Sequence, residues 1–320
     1  MRARVVLFWV LVAFILLPAV AITAARLLEP DSRAGIALVA FTPLALPLYA
    51  AALLLALGRL ALTRRWRGAA LPIALVAVAG LGLHGWWYAP QVSGSNPPAA
   101  AGATPLVVMT ANLRLGEADG IEVVRTASEQ HVDLLVLQEV TPAVLADMDR
   151  SGLPDLLPYR VGEPGSMARG TMAFARAPLS DAVRLPTALG SWSFVMGDLR
   201  VQAVHPTYPV DATGWKHEQA VVLGAVADGE PDLVVGDFNA TVDHPSLRTL
   251  ADRGYRDVGE LANDGWHPTW PAGGKYDVLG LPLAQIDHVL VGERLAALGM
   301  VTRGVPSSDH RAVVATVARK

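Results

Sequence analysis

Three stretches within the first 88 residues contain no Asp, Glu, Lys or Arg: residues 5–25, 35–57 and 69–88, of 21, 23 and 20 residues. A helix rises 1.5 Å per residue, so about 20 apolar residues cross the hydrocarbon core of a bilayer. Residues 1–88 therefore read as three transmembrane helices. A cleaved signal peptide is the alternative for residues 5–25, since Ala19-Val20-Ala21 and Ala24-Ala25 supply small residues. That run exceeds the roughly 7–15 residues of a signal-peptide core, and two further spans follow it. Retained spans are the reading taken forward.

The placement of Lys and Arg sets the orientation. Arg2 and Arg4 precede the first span, and Arg59, Arg64, Arg65 and Arg67 lie between the second and third. Between the first and second, Arg26 and Arg33 are diluted by Glu29 and Asp31. Six positive charges against two put the N-terminus in the cytoplasm. Three crossings then make a multi-pass cell-membrane protein with an extracytoplasmic C-terminal domain. The chain has no cysteine, which is compatible with an oxidising compartment.

Charge divides the 320 residues at the same place. Residues 1–104 hold 8 Lys/Arg and 2 Asp/Glu, whereas residues 105–320 hold 18 and 27, a net of −9. A nucleic-acid partner ordinarily leaves a basic footprint, so this balance argues against one. A small phosphate can still be accepted through a bound metal. Residues 89–104, APQVSGSNPPAAAGAT, are rich in Pro, Gly, Ser and Ala and read as a flexible linker.

The remaining residues, 105–320, suit one domain. Apolar strands are predicted over 105–113, 132–140, 171–175, 231–236, 286–291 and 311–317, and a hairpin over 194–197 and 198–204. Helices are predicted over 119–131 and 215–227. Continuous apolar runs such as Leu134-Leu135-Val136-Leu137 imply burial on both sheet faces. Strands alternating with helices, with hairpins among them, favour a layered α/β sandwich with mixed sheets.

Polar residues gather at the predicted strand ends. Glu139 ends one apolar strand, where a carboxylate is costly to bury unless it is paired or holds a hard divalent cation through oxygen. Taken alone, it also fits a solvated strand-end acid. Asp237 and Asn239 flank Phe238 in Gly236-Asp237-Phe238-Asn239 and point the same way if the extended geometry continues. Such a pair can orient a water and bind a phosphoryl oxygen, although an Asx turn is the plainer alternative. Ser308-Asp309-His310 sets a carboxylate beside an imidazole, and Asp287 could orient that imidazole. His205 follows a strand and can donate to a phosphoryl oxygen. His288 alternates to the other face and reads as structural, while His131, His217 and His244 read as surface or capping residues.

In chain order, Asn112, Gln138-Glu139, His205, Gly236-Asp237-Phe238-Asn239, Thr269-Trp270, Ile286-Asp287-His288 and Ser308-Asp309-His310 resemble the endonuclease/exonuclease/phosphatase superfamily. That superfamily includes deoxyribonucleases, abasic-site endonucleases, inositol-polyphosphate 5-phosphatases and bacterial sphingomyelinases. The resemblance spans essentially all of residues 105–320. It implies a four-layered α/β sandwich, DNase I-like, with a Mg²⁺ site at one edge that also admits Mn²⁺. By motif, Glu139 is the principal metal ligand, with Asn112 and Asp309 nearby. Asp237 activates or orients the attacking water, Asn239 and His205 hold the phosphate, and His310 paired with Asp287 is the general base or the transition-state stabiliser. Arg114 departs from the abasic endonucleases, which carry an Asp there. That departure puts a second metal ligand in doubt and offers a contact to substrate phosphate.

Three spans before such a domain resemble the actinobacterial membrane phosphatase-like proteins associated with teicoplanin resistance, an antibiotic-resistance group. The resemblance implies a lipid-linked phosphate or pyrophosphate of the cell envelope as substrate. A membrane-anchored nuclease or phosphodiesterase is one alternative. A catalytically inactive domain that binds cell-wall intermediates is another.

Overall fold

Apolar helices form the first of two units, residues 1–90 and 91–320, in a computed structural model that describes residues 2–62, 67–277 and 280–320. Helix α1 is Arg2–Leu28, α2 Arg33–Val39, α3 Ala45–Leu62 and α4 Arg67–Tyr88. Among the described residues, three stretches are long and apolar enough to cross a membrane: Val6–Leu28, Thr42–Leu62 and Ala70–Tyr88. The second differs from the continuous helix predicted over 35–57. The chain instead breaks after α2 and restarts through a 3-10 turn at Thr42–Leu44, which holds Pro43. Proline has no N–H to donate and keeps the residue before it out of the helical region, so the break falls there. Arg64 and Arg65, which count toward orientation, lie outside the described residues.

A polar node ties these helices together. Thr23 Oγ1 donates to the Ala19 carbonyl at 2.8 Å, and lies 2.8 Å from Tyr49 Oη and 2.9 Å from His84 Nε2. One hydroxyl thus joins α1, α3 and α4, satisfying groups that would otherwise be orphaned in an apolar bundle. Gly80 lets the Tyr49 ring approach, since a Cβ there would lie 2.5 Å from it.

The second unit begins with a strap. Helix α5, Pro90–Ser93, leads into residues 94–104. The sequence reads these as a flexible linker, and in the structure they are hydrogen-bonded along their length. Gly265 donates to the Gln91 carbonyl at 2.9 Å, and Asn263 exchanges hydrogen bonds with the Gly94 backbone. Asn96 Nδ2 donates to the Ala297 carbonyl at 3.1 Å, and Ala100 N–H to the Arg319 carbonyl at 2.8 Å. Pro/Gly/Ser composition forbids the segment a structure of its own, but it does not prevent docking on a surface that supplies partners. While docked, the segment lacks the roughly 20 Å reach of a free tether of its length.

The sandwich follows as β1 Leu106–Asn112, α6 Gly120–Glu129, β2 Leu134–Gln138, α7 Pro142–Arg150, α8 Leu153–Leu156, β3 Tyr159–Gly162 and β4 Met172–Ala175. Next come β5 Leu179–Leu185, β6 Ser191–Met196, β7 Leu199–Val204, α9 Ala212–Gly229, β8 Leu233–Asp237 and α10 Pro245–Asp252. The chain closes with β9 Arg256–Asp257, α11 Val258–Ala262, β10 Asp287–Val291, β11 Leu295–Gly304 and β12 Arg311–Arg319. Asp119, Thr141, Asp211 and Asp257 each accept backbone N–H groups at the start of α6, α7, α9 and α11.

Among the described residues the strands make two six-stranded mixed sheets, ordered β11-β12-β1-β2-β4-β3 and β5-β6-β7-β8-β10-β9. Between them lies a core that includes Val108, Val136, Phe194, Val235, Val289 and Val313. Under α6 and α7, a second core packs Val123, Val144 and Met148 on Met109, Leu135, Leu137 and Phe174. On the far side α9 buries Trp215, Val222 and Val226. Helix, sheet, sheet, helix is the predicted four-layered DNase I-like sandwich. The two cores explain the unbroken apolar runs: successive residues of β1 and β2 enter opposite cores.

Candidate active site

Register brings the polar residues to one edge of both sheets. Asn112 pairs with Gln138, Asp287 with Asp237 and Val204 with Gly236. His205, Glu139, Asp237 and Asp287 are thereby set at neighbouring strand ends, and His310 directly precedes β12. The strap docks at the opposite end, where Leu106 faces Val317.

Gly236 makes the Gly-Asp-Phe-Asn turn possible. Its φ is +144°, and a Cβ there would lie 2.1 Å from the Val204 carbonyl oxygen, so only glycine fits. The turn aims Asp237 across the sandwich. Asp237 Oδ2 accepts from Asn112 Nδ2 at 3.0 Å and lies 3.8 Å from His205 Nε2 and 4.0 Å from His310 Nε2. Its Oδ1 accepts the Asn239 backbone N–H at 2.8 Å. Asn239, itself at φ +48°, donates through Nδ2 to the Pro206 carbonyl. Phe238 packs inward, fully buried, beside His288.

His310 Nδ1 and Asp287 Oδ2 are 2.9 Å apart, which makes the expected pair. Burial works against charge on His310, but the adjacent Asp287 carboxylate overcomes it and holds the imidazole up at about 10. His205 behaves oppositely: burial pushes it down to about 4 despite Asp237. At neutral pH the site therefore holds one cationic and one neutral imidazole. Both ring nitrogens of His205 are buried without a partner among the described residues, as is Asp287 Oδ1. Burial pushes the Asp237 carboxyl up, and the charge of Asp287 adds to the rise.

Glu139 stands at φ +59° with its carboxylate between two donors, Asn112 Nδ2 at 3.1 Å and the Leu115 N–H. Burial nevertheless raises its pKa. Asn112, expected among the metal ligands, spends its amide nitrogen on Glu139 and Asp237 and its oxygen on the Arg114 N–H at 2.8 Å. It bridges the two acids. Asp309 is half-buried and bears on His310 by charge, while its backbone carbonyl accepts from Ala272. No hydrogen bond among the described residues joins its carboxylate to Glu139. Arg114 Nη1 donates to the Ser307 carbonyl at 3.3 Å, and Nε lies 3.3 Å from Glu117 Oε2.

Donor atoms of Asp237, Asp287 and His310 lie within 4.8 Å of one another, a set that can hold a metal ion. That set is already occupied with itself, since the imidazole nitrogen facing Asp287 shares a proton with it. Glu139 and Asp237, both bound by Asn112 Nδ2, add hard carboxylate oxygens of the kind a divalent cation takes. Buried carboxylates this close, with an orphaned oxygen on a third, need more positive charge than His310 alone supplies.

Two residues quoted in the motifs but given no role prove structural to the site. Ser308 Oγ donates to the Asn112 carbonyl at 2.8 Å and accepts the His310 N–H at 3.0 Å, locking the His310 turn to β1. Thr269 Oγ1 accepts from the backbone of Ile286 and Asp287. Their motif positions were the available signal. His288 is structural as expected, placed between Asp257 at 2.9 Å and the Ala240 carbonyl at 3.1 Å. His131 and His217 are exposed, whereas His244 is buried at the start of α10, where Nδ1 accepts the Thr241 N–H.

The endonuclease/exonuclease/phosphatase family model matches residues 109–310. No curated protein matches the chain in sequence. Among similar solved structures is an endonuclease/exonuclease/phosphatase from Beutenbergia cavernae, 18% identical with a TM-score of 0.53, covering 67% of this chain and 72% of that one. D. rerio TDP2 complexed with a single-strand DNA product is 14% identical with a TM-score of 0.54, covering 67% and 99%. A Neisseria 3′ phosphatase, NExo, bound to a product DNA hairpin is 18% identical with a TM-score of 0.52, covering 66% and 98%. At these identities the likeness to solved structures concerns the fold.

Proposed function

This chain belongs to the endonuclease/exonuclease/phosphatase family, whose members hydrolyse phosphoester bonds, and from that premise we propose that it is a membrane-anchored, Mg²⁺-dependent phosphoesterase. Its active site lies outside the cytoplasm, and its substrate is a lipid-linked phosphate or pyrophosphate of the cell envelope. One observation carries the hydrolytic reading: a cationic His310–Asp287 pair and a neutral His205 both face Asp237 Oδ2. The membrane reading rests on the three apolar helices and on Lys/Arg placement.

Asp237, its carboxyl raised by burial, accepts a proton from the attacking water. The oxygen of that water bonds to phosphorus as the bond to the leaving oxygen breaks. His310 Nε2–H stabilises the charge that builds on the phosphoryl oxygens, a role suited to an imidazole held cationic. His205, neutral and unpartnered, donates to another of these oxygens, and Asn239 holds the phosphate beside it. Glu139 would be the principal residue holding the metal, with Asp309 nearby. When bound, a divalent cation neutralises phosphoryl charge and assists departure of the leaving oxygen.

A nuclease is the competing reading, since two similar structures hold DNA. The net −9 of residues 105–320 argues against it. The deciding experiment incubates the purified full chain with polyprenyl pyrophosphate, a phosphodiester lipid and DNA, in Mg²⁺, Mn²⁺ or EDTA. Release of phosphate from the prenyl substrate, stopped by EDTA, is expected. Cleavage of DNA alone would replace this reading with the nuclease. A role in antibiotic resistance rests on the resemblance noted above and follows only if the prenyl substrate is cleaved.

A further inference from the structure

Helix α9 changes character along one face. Toward its C-terminal end it buries Val222 and Val226, as a core helix does, but its first turns bury Trp215, Glu218 and Gln219, which are 3%, 8% and 4% exposed. Residues three and four apart share a helix face, so these three point the same way. A carboxylate and an amide in such a place are costly unless their polar atoms are satisfied. Loop backbone at the catalytic edge satisfies them. Trp215 Nε1 donates to the Asn239 carbonyl at 3.0 Å and Gln219 Nε2 to the Phe238 carbonyl at 2.8 Å, both in the Gly-Asp-Phe-Asn turn. Glu218 Oε2 accepts the Thr207 N–H at 2.8 Å, two residues beyond His205, and its Oε1 accepts the Ala188 N–H at 3.1 Å.

The contact with Ala188 closes a ring around His205. From Ala188 the chain passes to Ser191, whose Oγ accepts the His205 N–H at 2.9 Å and the Thr187 hydroxyl at 2.8 Å. The His205 backbone is therefore held from both sides, directly by Ser191 and through Thr207 by Glu218. Its ring has no hydrogen-bond partner among the described residues, so packing and the path of the backbone alone set where the imidazole points. An acid suits the closing position because both groups it meets are N–H donors. A carboxylate accepts through each oxygen, whereas an amide of equal size must turn an NH2 toward one of them. We propose that Glu218 is a positioning residue of the active site: it clasps segments 187–191 and 205–207 together and thereby sets the His205 imidazole beside Asp237, where the phosphoryl group is bound. His205's contact with phosphate rests on the phosphoesterase reading, and the clasp rests on the hydrogen bonds themselves.

The test compares the full chain with Glu218→Gln, Ser191→Ala and His205→Ala, using bis-p-nitrophenyl phosphate as the probe substrate. Glu218→Gln should lower kcat/KM on the order of 10–100-fold, the range that a misplacement of about 1 Å costs. The Mg²⁺ concentration giving half-maximal rate should stay the same. In a His205→Ala background the same change should cost less than about threefold, because the two act as a unit. An equal loss in both backgrounds, or a loss in neither, overturns the positioning role. The second readout needs no turnover. With the histidines labelled with ¹⁵N, the His205 ring signals are those missing from His205→Ala. Glu218→Gln should move them and leave those of His131, just beyond α6, in place. Unmoved His205 signals, or an equal displacement of His131, overturn the clasp. Ser191→Ala removes the acceptor of the His205 N–H and should give the same pattern, which decides the matter if Glu218→Gln does not fold. If the His205 signals move while the parent chain cleaves no phosphoester, the clasp stands and the phosphoesterase reading falls.

Discussion

His310 keeps its proton well above the ordinary imidazole range because Asp287 shares it at 2.9 Å inside a buried site. The folded-state pKa of about 10 lies above the ordinary imidazole value of 6.5. The pair's contribution to stability is thus fully present below about pH 6.5 and is lost as pH rises through about 10. Asp287→Asn should pull the alkaline limb of the rate profile down from near pH 10 toward neutrality, and an unmoved limb would reject the cationic role. His310→Ala should lower turnover on the order of 10²–10⁴-fold, and adding Asp287→Asn should cost little more because the two act as a unit. Glu139→Gln should abolish turnover at ordinary Mg²⁺ while circular dichroism stays unchanged. Near-normal activity at limiting Mg²⁺ would remove Glu139 as the principal ligand. The residue types were legible in the motifs. That Asn112 would bridge two acids was not, because the direction of an amide depends on the Arg114 N–H beside it.

Single turns and straps decide whether these residues meet. Gly236 is the hinge point of β8, and Gly236→Ala should destabilise the domain by about 3 kcal/mol or more, because the new Cβ would collide with the Val204 carbonyl. A thermal melt of the full chain checks this, and an unchanged transition would contradict the clash. Asn263→Ala removes both contacts to Gly94. It should speed amide exchange over residues 91–96 without changing turnover of a soluble phosphoester, since the strap lies at the end remote from Asn112. Unaltered protection would show that other contacts hold the strap. Long apolar strands and the helices Gly120–Glu129 and Ala212–Gly229 were readable from periodicity. Strands β3, β5 and β9 were not, being short or largely exposed, with little apolar pattern to follow.

For the whole molecule, the arrangement across the membrane is the claim most open to direct test. A reporter fused after Lys320 should be active outside the cytoplasm, and one fused beside Arg59 should be active inside. A cytoplasmic C-terminal reporter would defeat the envelope-lipid substrate, whatever the catalytic residues do. If residues 5–25 were cleaved as a signal peptide, two spans would still leave the domain outside. N-terminal sequencing of the mature protein separates those two cases.

By itself the sequence determined the kind of structure each segment could form. Charge-free runs of about 20 residues need an apolar solvent, and apolar strand runs need cover on both faces, wherever they sit. It also determined the chemical inventory at the strand ends. Only the tertiary structure decided which members of that inventory share a proton and which are bridged by Asn112. The distances from Asp237 to Asn112 and His310 span two sheets, that to His205 joins neighbouring strands of one, and all depend on the register of β1 with β2 and of β8 with both β7 and β10. A slip of one residue would turn those side chains to opposite faces, so the site is a property of how the strands pair. The docked strap teaches the same lesson. Its composition rules out structure of its own, and its order comes from Asn263, Ala297 and Arg319, groups far away in the chain.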